Sequence, residues 1–203
     1  MFGIIGNGQV GQHLAAAFDD MGADNHLIGR KVDEKIKKYR DTDVVFDVSS
    51  AKPDDLYKLS DQYEVLIYTS AYRDVNQCEK DPATADRLNW LVPTTLAAHK
   101  PIIYISTDYV FGKLDQDYPR PVQGKIGEGE DPDSKYFSGG APSFYGQSKR
   151  RGELGVLKND SLVVRIGSPF GPYKSPMRNS FIDTVASNFD TMTLPRDQIV
   201  SPT

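Results

Sequence analysis

The chain has one cysteine, Cys78, in 203 residues. A single thiol cannot close an internal disulfide, so a reducing compartment, the cytoplasm, is the expected location. Three scattered histidines, His13, His26 and His99, add too few ligands for a zinc site, and no metal is expected. No apolar run approaches the ~18 residues that a bilayer-spanning helix needs, so no membrane partner is expected. Residues 1–11 lack both a basic start and an Ala-x-Ala-like end, so no secretory signal is expected there. Positive charge is not in excess either: 24 Lys and Arg against 28 Asp and Glu leave a net charge of −4. A nucleic-acid binder would show a basic face, so that class of partner is not expected. Self-association as a homodimer is left open, because no heptad or self-complementary patch is legible.

What is present is alternation. Short runs rich in Val, Ile and Tyr (residues 2–5, 26–28, 44–48, 65–69, 102–106 and 162–166) are continuous rather than alternating, as in strands covered on both faces. Helical candidates lie between them. Residues 9–21 place Val10, Leu14, Ala17, Phe18 and Met21 on one stripe. Residues 82–99 form a second helix, in which Pro93 should kink or restart the chain. Residues 145–157 form a third. Strand–helix–strand repetition with right-handed crossovers predicts an α/β, doubly wound parallel sheet of the Rossmann type, covering residues 1–170. The stretch 112–144 breaks the rhythm with many glycines and prolines. A loop that long is uncommon unless it is a mobile surface insertion or a flap over a ligand.

Gly6-Asn7-Gly8-Gln9-Val10-Gly11 follows the first strand and opens the first helix. Glycines there permit a tight turn and let a pyrophosphate approach unhindered, and the helix N-terminus offers free N–H groups and a partial positive charge. The position, strand before and amphipathic helix after, makes the motif a dinucleotide cradle. At the end of the second strand, an acid would grip a ribose 2′-hydroxyl. This chain has Gly29-Arg30-Lys31 instead. Arg30 can pair with a 2′-phosphate, which favours NADP(H), with NAD(H) as the alternative. Asp47 is placed to meet the adenine edge or simply to make a turn.

Tyr145-Gly146-Gln147-Ser148-Lys149 puts a phenol and an ammonium one helical turn apart on one face. With 11 tyrosines and 14 lysines, such a pair arises about once by chance, and Tyr109 with Lys113 is a second match. Context selects Tyr145, because Tyr109 is followed by a strand-end Phe-Gly. To work as an acid–base group at neutral pH, a tyrosine must shift by about 3 units, or about 4 kcal/mol. A neighbouring ammonium favours that phenolate. Thr107, in Ser106-Thr107-Asp108-Tyr109-Val110-Phe111, ends the fifth strand, where ligands of open α/β sheets bind. A hydroxyl there can steady charge developing on a carbonyl oxygen.

Together these residues resemble the extended short-chain dehydrogenase/reductase family, and within it the dTDP-4-dehydrorhamnose reductase branch. Besides the cradle, the matching strings are Ala71-Tyr72-x-x-Val75-x-x-Cys78-Glu79-x-x-Pro82, Asn89, Ser106 to Phe111, Tyr145-Gly146-x-Ser148-Lys149 with Glu153, Arg165 with Gly171, and Asn179-x-Phe181. The resemblance implies NADPH-dependent reduction of the 4-keto group of a nucleotide-linked 4-keto-6-deoxy sugar. It implies that Tyr145 gives the proton and that Lys149 holds the nicotinamide ribose and lowers the Tyr145 pKa. Thr107 would bind the carbonyl oxygen. Val48, Ala71 and Tyr72 would join Gly6, Gly8, Gln9, Val10, Gly11, Arg30 and Asp47 around the cofactor. Asp108, Tyr109 and Val110 would line the sugar side, and Arg178 and Asn179 would reach the nucleotide phosphates.

Three departures stand out. Ile5 occupies the place of the family's first cradle glycine, so a shorter pyrophosphate turn is expected. Thr69-Ser70-Ala71 replaces the usual Asn-Ala-Ala. Residues 171–203 read as the start of a substrate-binding region, truncated or naturally reduced. An epimerase or dehydratase of the same family, a non-catalytic NADP-binding regulatory subunit and an unrelated nucleotide-binding domain are the competing readings.

Overall fold

Strands form where β-branched and aromatic residues cluster in the computed structural model. The structure describes residues 1–30, 39–114, 131–134, 137–167 and 169. In chain order the strands are β1 (Phe2–Ile5), β2 (Asn25–Gly29), β3 (Val44–Val45), β4 (Val65–Tyr68), β5 (Ile102–Thr107), β6 (Lys113–Leu114), β7 (Phe137–Ser138) and β8 (Leu162–Ile166). Helices follow β1, β3, β4, β5 and β7. Six of them form one parallel sheet in the order β3-β2-β1-β4-β5-β8. The order reverses between β1 and β4, which makes the crevice at their carboxyl ends the expected ligand site of a doubly wound sheet.

Strand residues divide between the faces with period two. Ile5, Ile28, Leu66, Tyr68, Ile102 and Tyr104 join one core cluster under α2 (Pro53–Ser60), α5 (Val92–His99) and α6 (Phe144–Leu157). Ile4 and Leu27 point the other way, onto Ala15, Leu14 and Phe18 of α1 (Gln9–Asp20). Both faces being covered, apolar residues run on without polar gaps. Each such side chain contributes roughly 1.5–3 kcal/mol by leaving water.

Two short helices hold few apolar residues, and the sequence reading passes over them. Pro53 starts α2, with Asp54 and Asp55 in its first turn complementing the helix dipole. The second, α3 (Val75–Lys80), is capped by Asp74, whose Oδ1 accepts from Gln77 N at 3.1 Å. The third strand is shorter than expected: β3 ends at Val45, and residues 48–50 already turn.

The expected helix 82–99 divides into α4 (Pro82–Asp86), a π-helical turn (Arg87–Leu91) and α5. Pro93 has no N–H to give the Asn89 carbonyl, and its ring crowds that oxygen. The wider turn relieves both problems. The carbonyls it leaves over are taken by two buried tyrosines of the sheet. Tyr68 Oη donates to Leu88 O at 2.8 Å, and Tyr104 Oη donates to Asn89 O at 2.5 Å.

Within the stretch 112–144, β6 and β7 pair as an antiparallel ribbon, so this segment is not all loop. Residues 131–134 dock on α6: Arg150 Nη2 donates to Asp131 Oδ1 at 2.9 Å and to Asp133 Oδ2 at 2.6 Å. Among the described residues no helix is long and apolar enough to cross a membrane.

Candidate active site

The turn Gly6-Asn7-Gly8 links β1 to α1 at the switch point. Gly6 has φ +121°, and a Cβ on it would lie 2.5 Å from Thr69 Oγ1. A Cβ on Gly11 would lie 1.8 Å from the Gly6 carbonyl oxygen. These two glycines are demanded by the protein's own backbone packing. Gly8 differs, since a Cβ there would meet nothing within 4 Å. Its bare face and the first N–H groups of α1 open on the crevice, so the residues present fit a dinucleotide pyrophosphate. Gln9 and Val10 form the first turn behind it. Ile5, at the place of the family's first glycine, is a buried core residue, and the turn begins one residue later. Thr69, where the family has Asn, donates to the carbonyls of Ile5 and Gly6 at 3.0 and 3.1 Å. It fastens the β4 end to the cradle.

Arg30, just past β2, is exposed, and its carbonyl accepts from Asn7 Nδ2 and, at 3.3 Å, from Thr42 Oγ1. Asn7 Nδ2 also donates to Thr42 Oγ1 at 2.9 Å. The cradle turn and the Arg30 backbone are therefore tied together. Asp47 makes a turn rather than ending a strand. Its Oδ1 accepts from Ser49 N at 2.9 Å and Ser49 Oγ at 2.6 Å. The Ser49 hydroxyl holds the Asp47 carboxyl below its ordinary range against the effect of burial, and the Arg30 charge adds to this. Val48 beside it is buried. Lys31 lies outside the described residues.

At the other side of the switch point, β5 ends in Thr107. Its Oγ1 caps a 3-10 turn (Asp108–Val110), accepting from Tyr109 N at 3.3 Å and donating to Asp108 Oδ1 at 3.1 Å. Asp108 and Tyr109 are exposed. Val110 is 1% exposed and faces the interior, which corrects its expected place on the sugar side. A three-residue turn this tight sends its third side chain back into the core.

Tyr145 lies in the first turn of α6, capped by Ser143, with its ring edge-on to Tyr109 at 5.7 Å between centroids. Burial pushes the Tyr145 phenol up to about 12; the nearby Thr107 hydroxyl pulls the other way, and Cys78, Asp108 and Arg73 also act on it. The two hydroxyls that the sequence singled out are therefore neighbours. The expected lowering by Lys149 is not seen. Lys149 is turned elsewhere: Nζ donates to Ile105 O at 2.6 Å and sits 3.9 Å from the centre of the Tyr104 ring. The side chain is 2% exposed. Burial brings the ammonium down to about 7, with Glu153 pulling it back up.

A buried polar frame supports this helix. Glu153 is fully enclosed and takes a forked bond from Arg165 on β8, at 2.8 and 2.9 Å, and another from Arg150 at 2.9 Å. Burial works to raise the Glu153 carboxyl, but the arginine bonds prevail and hold it below its ordinary value. Asn89, also fully buried, reaches from the π-helical turn to both neighbours. Its Nδ2 donates to Tyr72 O at 3.0 Å and Ser148 Oγ at 2.9 Å, and its Oδ1 accepts from Tyr72 N at 2.8 Å. Ser148 Oγ in turn donates to Tyr145 O at 2.8 Å. Ala71 and Tyr72, after β4, are thus braced by Asn89 against the Tyr145 helix. The Cys78 thiol donates to Tyr72 O at 3.1 Å and belongs to the same brace.

The sequence reading placed Asn89 and Glu153 in matching strings without a role, and it missed Tyr104. The only signals for Tyr104 were a tyrosine in an isoleucine-rich strand and a proline inside a helix. Arg178, Asn179 and residues 171–203 as a whole lie outside the described residues, as do 115–130.

The sequence matches the family described as the RmlD substrate binding domain over residues 2–203. It is 31% identical over 150 residues to a dTDP-4-dehydrorhamnose reductase of Mycolicibacterium smegmatis, covering 69% of this chain and 41% of that protein. A dTDP-4-dehydrorhamnose reductase of Bacillus anthracis, solved in complex with NADP, superposes with a TM-score of 0.59 at 22% identity, covering 92% of this chain and 58% of that one. UDP-glucose 4-epimerase of Brucella ovis, solved with NAD, superposes with a TM-score of 0.67 at 16% identity, covering 92% and 60%. The chain thus spans from about two fifths to three fifths of these proteins' lengths.

Proposed function

The chain belongs to the RmlD substrate-binding domain family, and on that premise we propose that it is an NADPH-dependent reductase of the 4-keto group of a nucleotide-linked 4-keto-6-deoxy sugar. The observation that carries this reading is that the Thr107 hydroxyl, at the end of β5, lies near enough to the Tyr145 phenol to act on it. Two neighbouring hydroxyls suit a carbonyl oxygen that gains charge as it is reduced.

Gly6, Gly8, Gln9, Val10 and Gly11 would cradle the pyrophosphate, Arg30 the 2′-phosphate, and Asp47 and Val48 the adenine end. Ala71 and Tyr72 would border the ring end, and Lys149 the nicotinamide ribose. Bound there, NADPH supplies the hydride. Thr107 holds the carbonyl oxygen and Tyr145 delivers the proton to it. Burial keeps the Tyr145 phenol protonated at neutral pH, so it carries a proton to give. Asp108 and Tyr109 are exposed where the sugar would lie, and Arg178 and Asn179 would meet the nucleotide phosphates. The solved NADP complex of the Bacillus anthracis reductase supports the cofactor choice.

The test is NADPH oxidation with a panel of nucleotide-linked 4-keto sugars, on this chain and on a version extended at the C-terminus. Turnover with at least one member is expected. NADPH binding without turnover in either version would leave the regulatory-subunit reading in its place.

A further inference from the structure

Lys149 is a charged group enclosed by few others. On its own helix the titratable neighbours are Tyr145 and Glu153. From β5 come Tyr104 and the Ile105 carbonyl; from β8 comes Arg165, already forked onto Glu153. The π-helical turn reaches this spot through the carbonyl of the neutral Asn89, bonded by Tyr104; its Arg87 donates instead to Ser49 O and Ala51 O. Besides the carbonyl it bonds, the ammonium lies over the face of the Tyr104 ring, 3.9 Å from its centre.

Tyr104 is held on both sides. Its ring stacks near Tyr68 at 6.1 Å between centroids. Its hydroxyl donates to the carbonyl that Pro93 sets free at Asn89. The helix α6 reaches the same spot through Gly152, where a Cβ would lie 2.2 Å from Asn89 O and 2.6 Å from Tyr104 Oη. One side chain therefore touches the π-helical turn, a close approach of α6 and the buried ammonium.

We propose that Tyr104 is a positioning residue for Lys149: its ring face seats the ammonium, and its hydroxyl locks the π-helical turn against which α6 packs. An aromatic face favours the cation over the neutral amine, so it supplies what burial takes away. Burial also keeps the Tyr104 phenol protonated, so its hydroxyl remains a donor. The inference rests on the proposed function only in giving Lys149 the nicotinamide ribose to hold.

The test keeps the shape and changes the electronics. Tyr104→Phe preserves the ring, and phenylalanines carrying increasing numbers of fluorines at position 104 weaken its negative face. Carbon-13 NMR of lysine-labelled protein, with Lys149→Met identifying the signal, follows the Lys149 titration without ligand. Tyr104→Phe is expected to keep the midpoint of the unmodified protein. Fluorination is expected to lower it progressively, by about half a unit to one unit in total. A flat series, or a shift already complete in Tyr104→Phe, would overturn the proposal. NADPH dissociation constants measured across pH on the same proteins separate the two readings. A moving Lys149 midpoint with an unmoved pH dependence of NADPH binding would uphold the seat under Lys149 and remove the ribose assignment.

Discussion

On the β1–β2–β3 side of the switch point, the described residues of the candidate site are mainly backbone, glycines and the exposed Arg30. On the β5–β8 side they are buried and half-buried polar groups: Thr107 near Tyr145, Asn89 bonded to Ser148, and Glu153 bonded to Arg165 and Arg150. The difference follows from what each side has to do. A pyrophosphate asks for free N–H groups and room, which glycine provides by leaving atoms out. Proton delivery asks for a particular oxygen at a particular point, which only a satisfied network can fix. Substitutions on the first side should therefore change affinity, and those on the second should change rate or stability.

The strongest way to break this contrast is Tyr145→Phe. It should lower turnover by about 10²–10⁴-fold, while NADPH affinity, followed by fluorescence titration, stays nearly unchanged. A matching loss of affinity would place Tyr145 in the cofactor cradle instead. Lys149→Met comes next and gives a signed pH effect. The Lys149 pKa is depressed to about 7 in the folded protein, so between that value and its ordinary range the unfolded chain binds more protons. Stability from this group therefore rises with pH across that window and is lowest below it. Lys149→Met should melt at a higher temperature than the parent below pH 7, with the gap closing in alkali, even as turnover is lost. The mildest change is Arg30→Ala on the cradle side. It should weaken NADPH about tenfold, the scale of one exposed charge-assisted contact, leaving NADH affinity and melting temperature where they were. Equal weakening of both cofactors would show Arg30 to be serving the turn rather than the 2′-phosphate.

The cradle side was the more legible in sequence. Gly6, Gly8 and Gly11 announce themselves by spacing, and the continuous Val/Ile runs of β1, β4 and β5 announce a sheet covered twice. Those signals are local, because each residue acts on its own turn or strand. On the β5–β8 side the sequence singled out Thr107, Tyr145 and Lys149 but not the polar frame that joins their elements. Pairing Tyr104 with Asn89 depends on Pro93 opening a helical turn opposite a strand, which no single window contains. For the same reason Lys149 was expected beside the phenol and is found over Tyr104. Helical spacing gives the face that a side chain starts from, whereas the carbonyl of Ile105 decides where its end goes. Val110 misled for a smaller reason: its string suggests a lining residue, and the tight turn after Thr107 reverses it. In β3, Phe46 and Val48 prolong the apolar run, but the turn built by Asp47 and Ser49 cuts the strand short.

The strand order has a consequence for how the molecule is made. β1, the earliest of the described strands in the chain, lies inside the sheet, with Phe2 beside Asn25 on one flank and beside Val65 on the other. No hairpin can start this sheet, and every pairing in it closes a long stretch of chain. Such topologies fold slowly and leave unpaired edges exposed while they wait. During synthesis β1 can acquire its second neighbour only once β4 has emerged, so the window between those two moments is where a chaperone or a slowed codon would have the greatest influence on yield.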